Sequence, residues 1–559
     1  MAERIFIGVA WPYANGLLHL GHIAGAYLPA DIFARYHRTK GNEVLMVSGS
    51  DQHGTPITLR AEQEGKSPQE VASRYHQQFL DSWQKLGISF DLFTSTGTAN
   101  HAEVVHDFFL ALLNKGYIYK DKMSQPYCPN CHRFLPDRYV YGACPYCHNP
   151  DARGDQCDEC GKTLNPTDLI DLRCGICSAV PEIKSSEHFF LRLSAFADQL
   201  KSWVSGKSHW RQNVLNFTLR YLTEGLRERA ITRDLEWGVS VPLPGYDKKR
   251  IYVWFEAVIG YLSASKEWAS SRGEDERWRD FWQGESKSYY FVGKDNTPFH
   301  TLIWPAMLLG YENLNLPHDV PANEFLTLES KQFSTSRDWA VWLPDYLERY
   351  QPDPLRYLLS ANMPESADTD FSWREFVRRN NDELVATYGN LVHRVLTFTY
   401  KHFNHSVPDG GEFDTDSNAL ISQAKTTLNS VDNLLSGCHF KEAIRQAMSL
   451  AQKTNRYLDD KAPWKKIKED RDSAATSLQV ALGVIHSLKT MLYPFLPFSS
   501  DKLHHLLGLQ GSVQEGGWNF DVPPAGQSLL PPEPLFIKLD DTVVEEEAER
   551  LNQNTLAPE

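Results

Sequence analysis

The stretch "RIFIGVAWPYANGLLHLGH" (residues 4–22) decides how the rest of the chain is read. Residues 4–10 are a short apolar run closed by a Pro, Asn and Gly loop, the pattern of a strand buried on both faces. The loop "WPYANGLL" leads into a helical pattern from about His19 to His37, and "EVLMVSGSD" (43–51) is a second buried strand ending on an acid. Strand, loop, helix and strand in that order predict a parallel, doubly wound α/β sheet of the Rossmann-like kind. Ligands of such sheets sit beyond the carboxyl ends of the strands, where the "PYANG" loop and Asp51 fall.

"HLGH" (19–22) opens the first long helix. Two imidazoles three residues apart share a helix face, at the end where backbone N–H groups and the helix dipole favour anions. The intervening Gly21 lets a flat ring approach the backbone. That arrangement suits the phosphates of a nucleoside triphosphate; the plain alternative is a pair of helix-capping histidines.

The 559 residues suggest roughly three or four domains, and 42% hydrophobic residues can build a large core. A net charge of −14 means that nucleic-acid contact must come from local basic patches, such as 247–250, 374–380 and 464–468, each equally readable as a solvated face. No apolar run is long enough to span a bilayer and no basic-then-apolar leader opens the chain, so a soluble, cytoplasmic protein without membrane contact is expected.

Eight of the nine cysteines form four CxxC pairs: Cys128 and Cys131, Cys144 and Cys147, Cys157 and Cys160, Cys174 and Cys177; Cys438 stands alone. Paired cysteines packed into about fifty residues of a cytosolic chain point to metal, not disulfides. Two sets of four thiolates give closed, structural Zn²⁺ sites with no open position. Either the inner pairs share one ion and the outer pairs the other, or the pairs are used in consecutive twos.

This segment, about 126–180, reads as an inserted module. Strand and helix signals resume at 250–264, 288–310 and 323–330, and from about Asp353 the texture changes to long amphipathic helices at 373–403, 439–459 and 472–492. The resulting division is a catalytic first half (1–115), a connective insert (116–230), a catalytic second half (231–352), a helical bundle (353–530) and an acidic tail (531–559) expected to fray.

"PYANGLLHLGH", "GSDQHGTPI" (49–57), "YVWFEAVIGY" (252–261), "VGKDNTPFH" (292–300) and "NRYLDDKAPW" (455–464) together resemble the class I methionyl-tRNA synthetases, in the right order from about residue 4 to 500. "HLGH" is similar to the HIGH signature of class I synthetases, "DDKAPW" to the anticodon-reading element of the methionine enzymes, and the four-CxxC insert to their two-metal members.

The resemblance implies that methionine is activated with ATP and Mg²⁺ and passed to tRNA(Met), initiator and elongator. It implies that Asp51 holds the substrate ammonium and that Arg233 pairs with that acid. The backbone of Trp11 and the ring of Tyr13 would border the amino-acid pocket, and Trp254, Val258, Tyr261, Phe299 and His300 would wall the thioether site. A thioether is soft and polarizable, and aromatic walls suit it. His19, Gly21, His22, Lys294 and Asp295 would receive ATP, and Asn390, Arg394 and Trp464 would read the anticodon.

Two departures stand out. Trp11 occupies a position commonly leucine in the bacterial enzymes. "KQFSTSR" (331–337) lies where the KMSKS loop belongs, and aligned on its serines the signature becomes Gln332, Phe333, Ser334, Thr335 and Ser336, with both lysines gone. Lys331, Arg337 or Lys294 would then supply the missing charge beside the neutral Thr335. Rival readings are another class I synthetase and a catalytically weakened tRNA-binding paralogue. Amino-acid-dependent pyrophosphate exchange separates them. A monomer is expected.

Overall fold

The strand Arg4–Val9 is the central one of five parallel strands. In spatial order the sheet runs Ala322–Asn323, Ser286–Gly293, Arg4–Val9, Glu43–Ser50 and Leu92–Ser95. The computed structural model describes all residues except 1, 155, 156, 158, 161, 163, 335–337 and 557–559. Numbered along the chain, the sheet has the order 3-2-1-4-5 of a doubly wound half, reversing between Arg4–Val9 and Ser286–Gly293. Helices cover both faces, which is why these strands are nearly continuous apolar runs without alternation. Gly8 sits where a Cβ would come within 2.8 Å of the Tyr290 ring and 2.9 Å of the Tyr261 ring, so the bare backbone lets two aromatic rings lie over the central strand.

The helical pattern expected from His19 to His37 is observed as Leu20–His22, a π-helical turn Ile23–Tyr27, and Leu28–Thr39. A second π-helical turn, Phe299–Ile303, follows the strand Ser286–Gly293. Such irregular turns are frequent at functional sites, and both border the same cleft.

The insert leaves the sheet after the helix Ala99–Asn114 as a long antiparallel pair, Ile118–Cys128 with Glu182–Leu191. At its far end a small three-stranded sheet carries the cysteine knuckles. Beyond the catalytic sheet, the three long helices expected in the C-terminal half are present as the continuous run 373–402, Phe440–Lys461 and Arg471–Leu492, with Thr415–Ser436 as a fourth.

No flexible linker separates bundle from sheet. Arg356, fully buried, reaches Asp31 on the first long helix at 2.6 Å and donates to the carbonyls of Pro494 and Phe495 at the end of the bundle. Asp31 also takes Arg35 at 2.9 Å. A buried carboxylate between two guanidiniums is tolerated only when its remaining lone pairs are met, here by Ser89 N–H and Oγ.

The acidic tail, expected to fray, is helical over most of its described length. Thr542–Leu556 is a helix packed against Trp373–Arg378, and Glu547 on it is buried, receiving Arg349 in a fork at 2.9 and 3.0 Å and the Tyr350 hydroxyl at 2.8 Å. Charge composition concealed this because the one acid that docks is surrounded by others that face solvent.

Candidate active site

At the carboxyl edge of the sheet, on either side of the reversal, lies a cavity of ≈390 Å³ whose walls include Trp11, Tyr13, His19, His22, Asp51, Trp254, Val258, Tyr261, Asp295, Phe299, His300 and Phe333. That is the size range of small-molecule sites. Residues spread over more than 300 positions are thus brought together where the fold predicts a ligand.

The two histidines are held in one tautomer. His19 Nδ1 accepts the Gly21 N–H and His22 Nδ1 accepts the His19 N–H, each at 3.1 Å. Burial drives both imidazoles down, His22 to about 4 and His19 well below its usual range, so both are neutral. A neutral ring that accepts at Nδ1 carries its proton on Nε2. Each histidine therefore keeps one donor. The ring that lies close to Gly21 is that of His19, whose Cε1 would be 2.9 Å from an added Cβ.

Phe333 stacks flat on His19, with centroids 4.6 Å apart and planes at 9°. The loop "KQFSTSR" is thereby tied to the "HLGH" turn, and it is tied again where Leu20 N–H donates to Val341 O and Leu343 N–H to Leu18 O. Ser334 and Trp339 exchange backbone hydrogen bonds across the loop, and the exposed Lys331 ammonium rests over the Trp339 ring at 4.4 Å. Thr335, Ser336 and Arg337 lie outside the described residues.

Lys294 does not stand open to a nucleotide. It forms ion pairs with Glu324 at 2.9 Å and Asp368 at 2.8 Å, acids that the linear sequence does not set beside "GKD". Its neighbour Asp295 lines the cleft, where desolvation raises its carboxyl above the usual range.

Trp254, Val258, Tyr261, Phe299 and His300 line this cavity together. Trp254 and Phe299 stack at 4.1 Å, and Tyr13 meets Trp254 edge-on at 6.4 Å. The Tyr261 hydroxyl and His300 Nε2 are 2.8 Å apart, while His300 Nδ1 faces the Asn296 carbonyl at 2.9 Å. A carbonyl can only accept, so His300 carries its proton on Nδ1 and Tyr261 donates to Nε2. Trp11 contributes its whole indole, beyond the backbone expected of it: the ring fills a slot left by two glycines, and a Cβ on Gly49 or Gly260 would come to 2.3 or 2.7 Å from it.

Asp51 is buried at the strand end, its carboxylate taking the His53 N–H at 3.2 Å and the Thr96 hydroxyl at 3.5 Å. Arg233, expected to pair with it, donates to the carbonyls of Ala230 and Thr232, and its guanidinium lies over the Tyr252 ring at 3.7 Å. The short strand pair Thr232–Arg233 with Arg250–Ile251 fixes that orientation. The groups that act on Asp51 are instead His53 and Glu256, a buried pair at 2.7 Å. Reading the motifs separately missed this pair, although both residues lie inside the quoted "GSDQHGTPI" and "YVWFEAVIGY" stretches.

The cysteines fall into two quartets, Cys128, Cys131, Cys174 and Cys177, and Cys144, Cys147, Cys157 and Cys160, with the sulfurs of each within 4.8 Å of one another. The inner-with-inner, outer-with-outer arrangement is the one formed. Recorded separations of 3.4 to 3.9 Å bracket the about 3.8 Å edge of a tetrahedron with 2.3 Å Zn–S bonds. His132, His148 and Ser178, each directly after the second cysteine of a pair, take positive φ of 52°, 61° and 59°, the turn that folds a CxxC around one point. Both quartets can hold a metal ion, and they lie on the insert, apart from the cleft.

In the bundle, Arg394 lies over the Trp464 ring at 4.3 Å and contacts Asp459 and Asn455. Asn390 is exposed one helical turn before Arg394, on the same face.

Residues 5–396 match the family described as tRNA synthetases class I (M), and residues 407–555 match the anticodon binding domain of methionyl tRNA ligase. The chain is 63% identical to the methionine–tRNA ligase of Dehalococcoides mccartyi, over 99% of this chain and 100% of that one. It is 52% identical to the methionine–tRNA ligase of Thermomicrobium roseum, over 99% of both. A solved methionyl-tRNA synthetase of Mycobacterium tuberculosis, in complex with methionyl-adenylate, superposes with a TM-score of 0.80 at 25% identity, covering 96% of this chain and 99% of that one. Fold, cleft and relatives agree: the chain belongs to the class I methionyl-tRNA synthetases and has the methionine–tRNA ligase function of that family.

Proposed function

We propose that the cleft holds methionine with its ammonium on Asp51 and its thioether against Trp254, Val258, Tyr261, Phe299 and His300, with Tyr13 and Trp11 closing the near side. ATP lies over the "HLGH" turn, its phosphates on the Nε2–H donors of His19 and His22, with Gly21, Asp295 and residues 333–336 completing the seat. Mg²⁺ enters with ATP as part of the substrate. The methionine carboxylate attacks the α-phosphorus, pyrophosphate leaves, and the terminal ribose hydroxyl of tRNA(Met) then takes the acyl group and releases AMP. No side chain forms a covalent intermediate; positioning and charge stabilisation carry the rate.

Lys294 has to exchange its carboxylate partners for phosphate, or leave the task to Lys331 and Arg337. Arg233 has to turn from its carbonyls to reach Asp51. Asn390, Arg394 and Trp464 read the anticodon, the knuckles hold two Zn²⁺, and the chain works as a cytoplasmic monomer divided at about residues 115, 230, 352 and 530.

The observation that carries this reading is a single one: a buried carboxylate and an aromatic wall face each other across one cleft, with two neutral imidazoles beside them. Asp51→Ala should abolish methionine-dependent pyrophosphate exchange while retaining zinc and helical content. A normally active variant would mean that the ammonium site lies elsewhere.

A further inference from the structure

Two buried ionisable groups, His53 and Glu256, lie behind Asp51 and outside the residues that line the cleft. Glu256 is fully buried on the wall helix Val253–Ser271, and one of its oxygens, Oε2, has no hydrogen-bond partner among the described residues. Its other oxygen takes His53 Nδ1 at 2.7 Å, and the backbone N–H of His53 donates to Asp51 at 3.2 Å. Asp51, reached by the His53 backbone N–H, and Glu256, reached by the His53 ring, thus share one buried residue between the strand end and the wall helix.

The charges decide its resting state. With His53 protonated and both acids ionised, the trio is an uncompensated buried anion, which is costly in a low-dielectric interior. Other charges do little to relieve it. Arg250 acts on His53 but opposes its protonation, and its guanidinium is engaged with the carbonyls of Glu236, Asp247 and Lys249. His101 is driven by burial down to about 3 and is neutral. Thr96 offers a hydroxyl at 3.5 Å, and Arg233 is turned to the carbonyls of Ala230 and Thr232. Burial first, and the Glu256 carboxylate next, push the Asp51 acid well above the usual carboxylate range, against the smaller pull of His53. One added proton, or one substrate ammonium, makes the trio neutral.

We propose that His53 and Glu256 belong to the methionine site and that the substrate ammonium displaces a proton from the Asp51–His53–Glu256 trio on binding. The proton passes to solvent, no other bond is made or broken, and the buried site stays neutral before and after. The inference rests on the reading that Asp51 receives the ammonium. Its consequence is selectivity: the carboxylate is fully unmasked only by a cation able to pay its desolvation by direct contact.

The test is calorimetric titration of methionine into the full chain in buffers of different ionisation enthalpy, from about pH 6 to 8, with Kd read at each pH. Up to about one proton should be released per methionine, and Kd should tighten by as much as tenfold per pH unit up to a midpoint and stay level above it. Removing the Glu256 charge lowers the proton affinity of the whole trio, so Glu256→Gln should move that midpoint to lower pH, which a merely structural role would not do. Identical enthalpies in all buffers with a pH-independent Kd in the native chain, while Asp51→Asn still weakens binding, would overturn the proton exchange and leave the ammonium site standing. An unmoved midpoint in a folded Glu256→Gln variant would overturn the assignment of Glu256. Native affinity in Asp51→Asn would remove the ammonium site itself.

Discussion

Replacing Trp464 by alanine separates anticodon reading from amino-acid activation. The indole is half-buried against the bundle and carries the Arg394 guanidinium on its face at 4.3 Å. Stacking of an unpaired base on an aromatic ring contributes about 1–3 kcal/mol, or roughly 5- to 150-fold in binding. Loss of the Arg394 contact adds about 0.5–1 kcal/mol, since that guanidinium is also held by Asp459 and Asn455 and does not depend on the ring alone. Aminoacylation of tRNA(Met) by Trp464→Ala should therefore fall by about 10- to 1,000-fold in kcat/KM, chiefly through the KM for tRNA. Trp464→Phe, which keeps a face for both the base and Arg394, should recover most of it. Methionine-dependent pyrophosphate exchange without tRNA is the control, because the cleft lies on the sheet and Trp464 on the bundle. An equal fall in exchange would show that the indole is needed for the fold and not for the base.

Elemental analysis should give two zinc ions per chain, and Cys144→Ser should release one of them while leaving most of the exchange activity, because the quartets lie apart from the cleft. Lys331→Ala or Arg337→Ala should slow methionine activation by about tenfold or more with methionine affinity nearly unchanged, and Thr335→Lys should be neutral or faster; stopped-flow activation rates check all three. Burial raises the Asp31 acid, but Arg35 and Arg356 outweigh it and hold the carboxyl down at about 2. A depressed folded pKa contributes stability that is present above the unfolded carboxylate value and is lost as pH falls through the folded one. Stability to heat should therefore fall from about pH 4 down to about pH 2, and Arg356→Met, which leaves Asp31 with Arg35 alone and the Pro494 and Phe495 carbonyls without their donor, should cost about 2–5 kcal/mol at neutral pH.

Local pattern was enough to read the strands Arg4–Val9 and Glu43–Ser50, the helix that follows "HLGH" and the long bundle helices, because each is set by its own periodicity. Of the cleft, the "PYANG" loop and Asp51 were legible from the order of strands and helices, whereas Trp254, Val258, Tyr261, Phe299 and His300 came only from the family resemblance. What stayed hidden was pairing across long separations. His53 and Glu256 are 203 positions apart, and Lys294 meets Asp368 across 74; no spacing rule links them. The choice between the two cysteine pairings likewise waited on the long antiparallel pair, which sets Tyr127 opposite Glu182 and so brings Cys128 to Cys177. The tail misled for another reason. An acidic run has the composition of a frayed end, and only the Arg349 fork, 198 residues away, reveals that Glu547 is a docking residue.

The most direct measurement is pyrophosphate exchange by the purified chain with each of the twenty amino acids in turn, with ATP and Mg²⁺. Methionine should support exchange well above every other amino acid, even though both signature lysines of the ATP loop are missing. Exchange with none of them, or faster exchange with cysteine, leucine or valine than with methionine, would contradict the assignment.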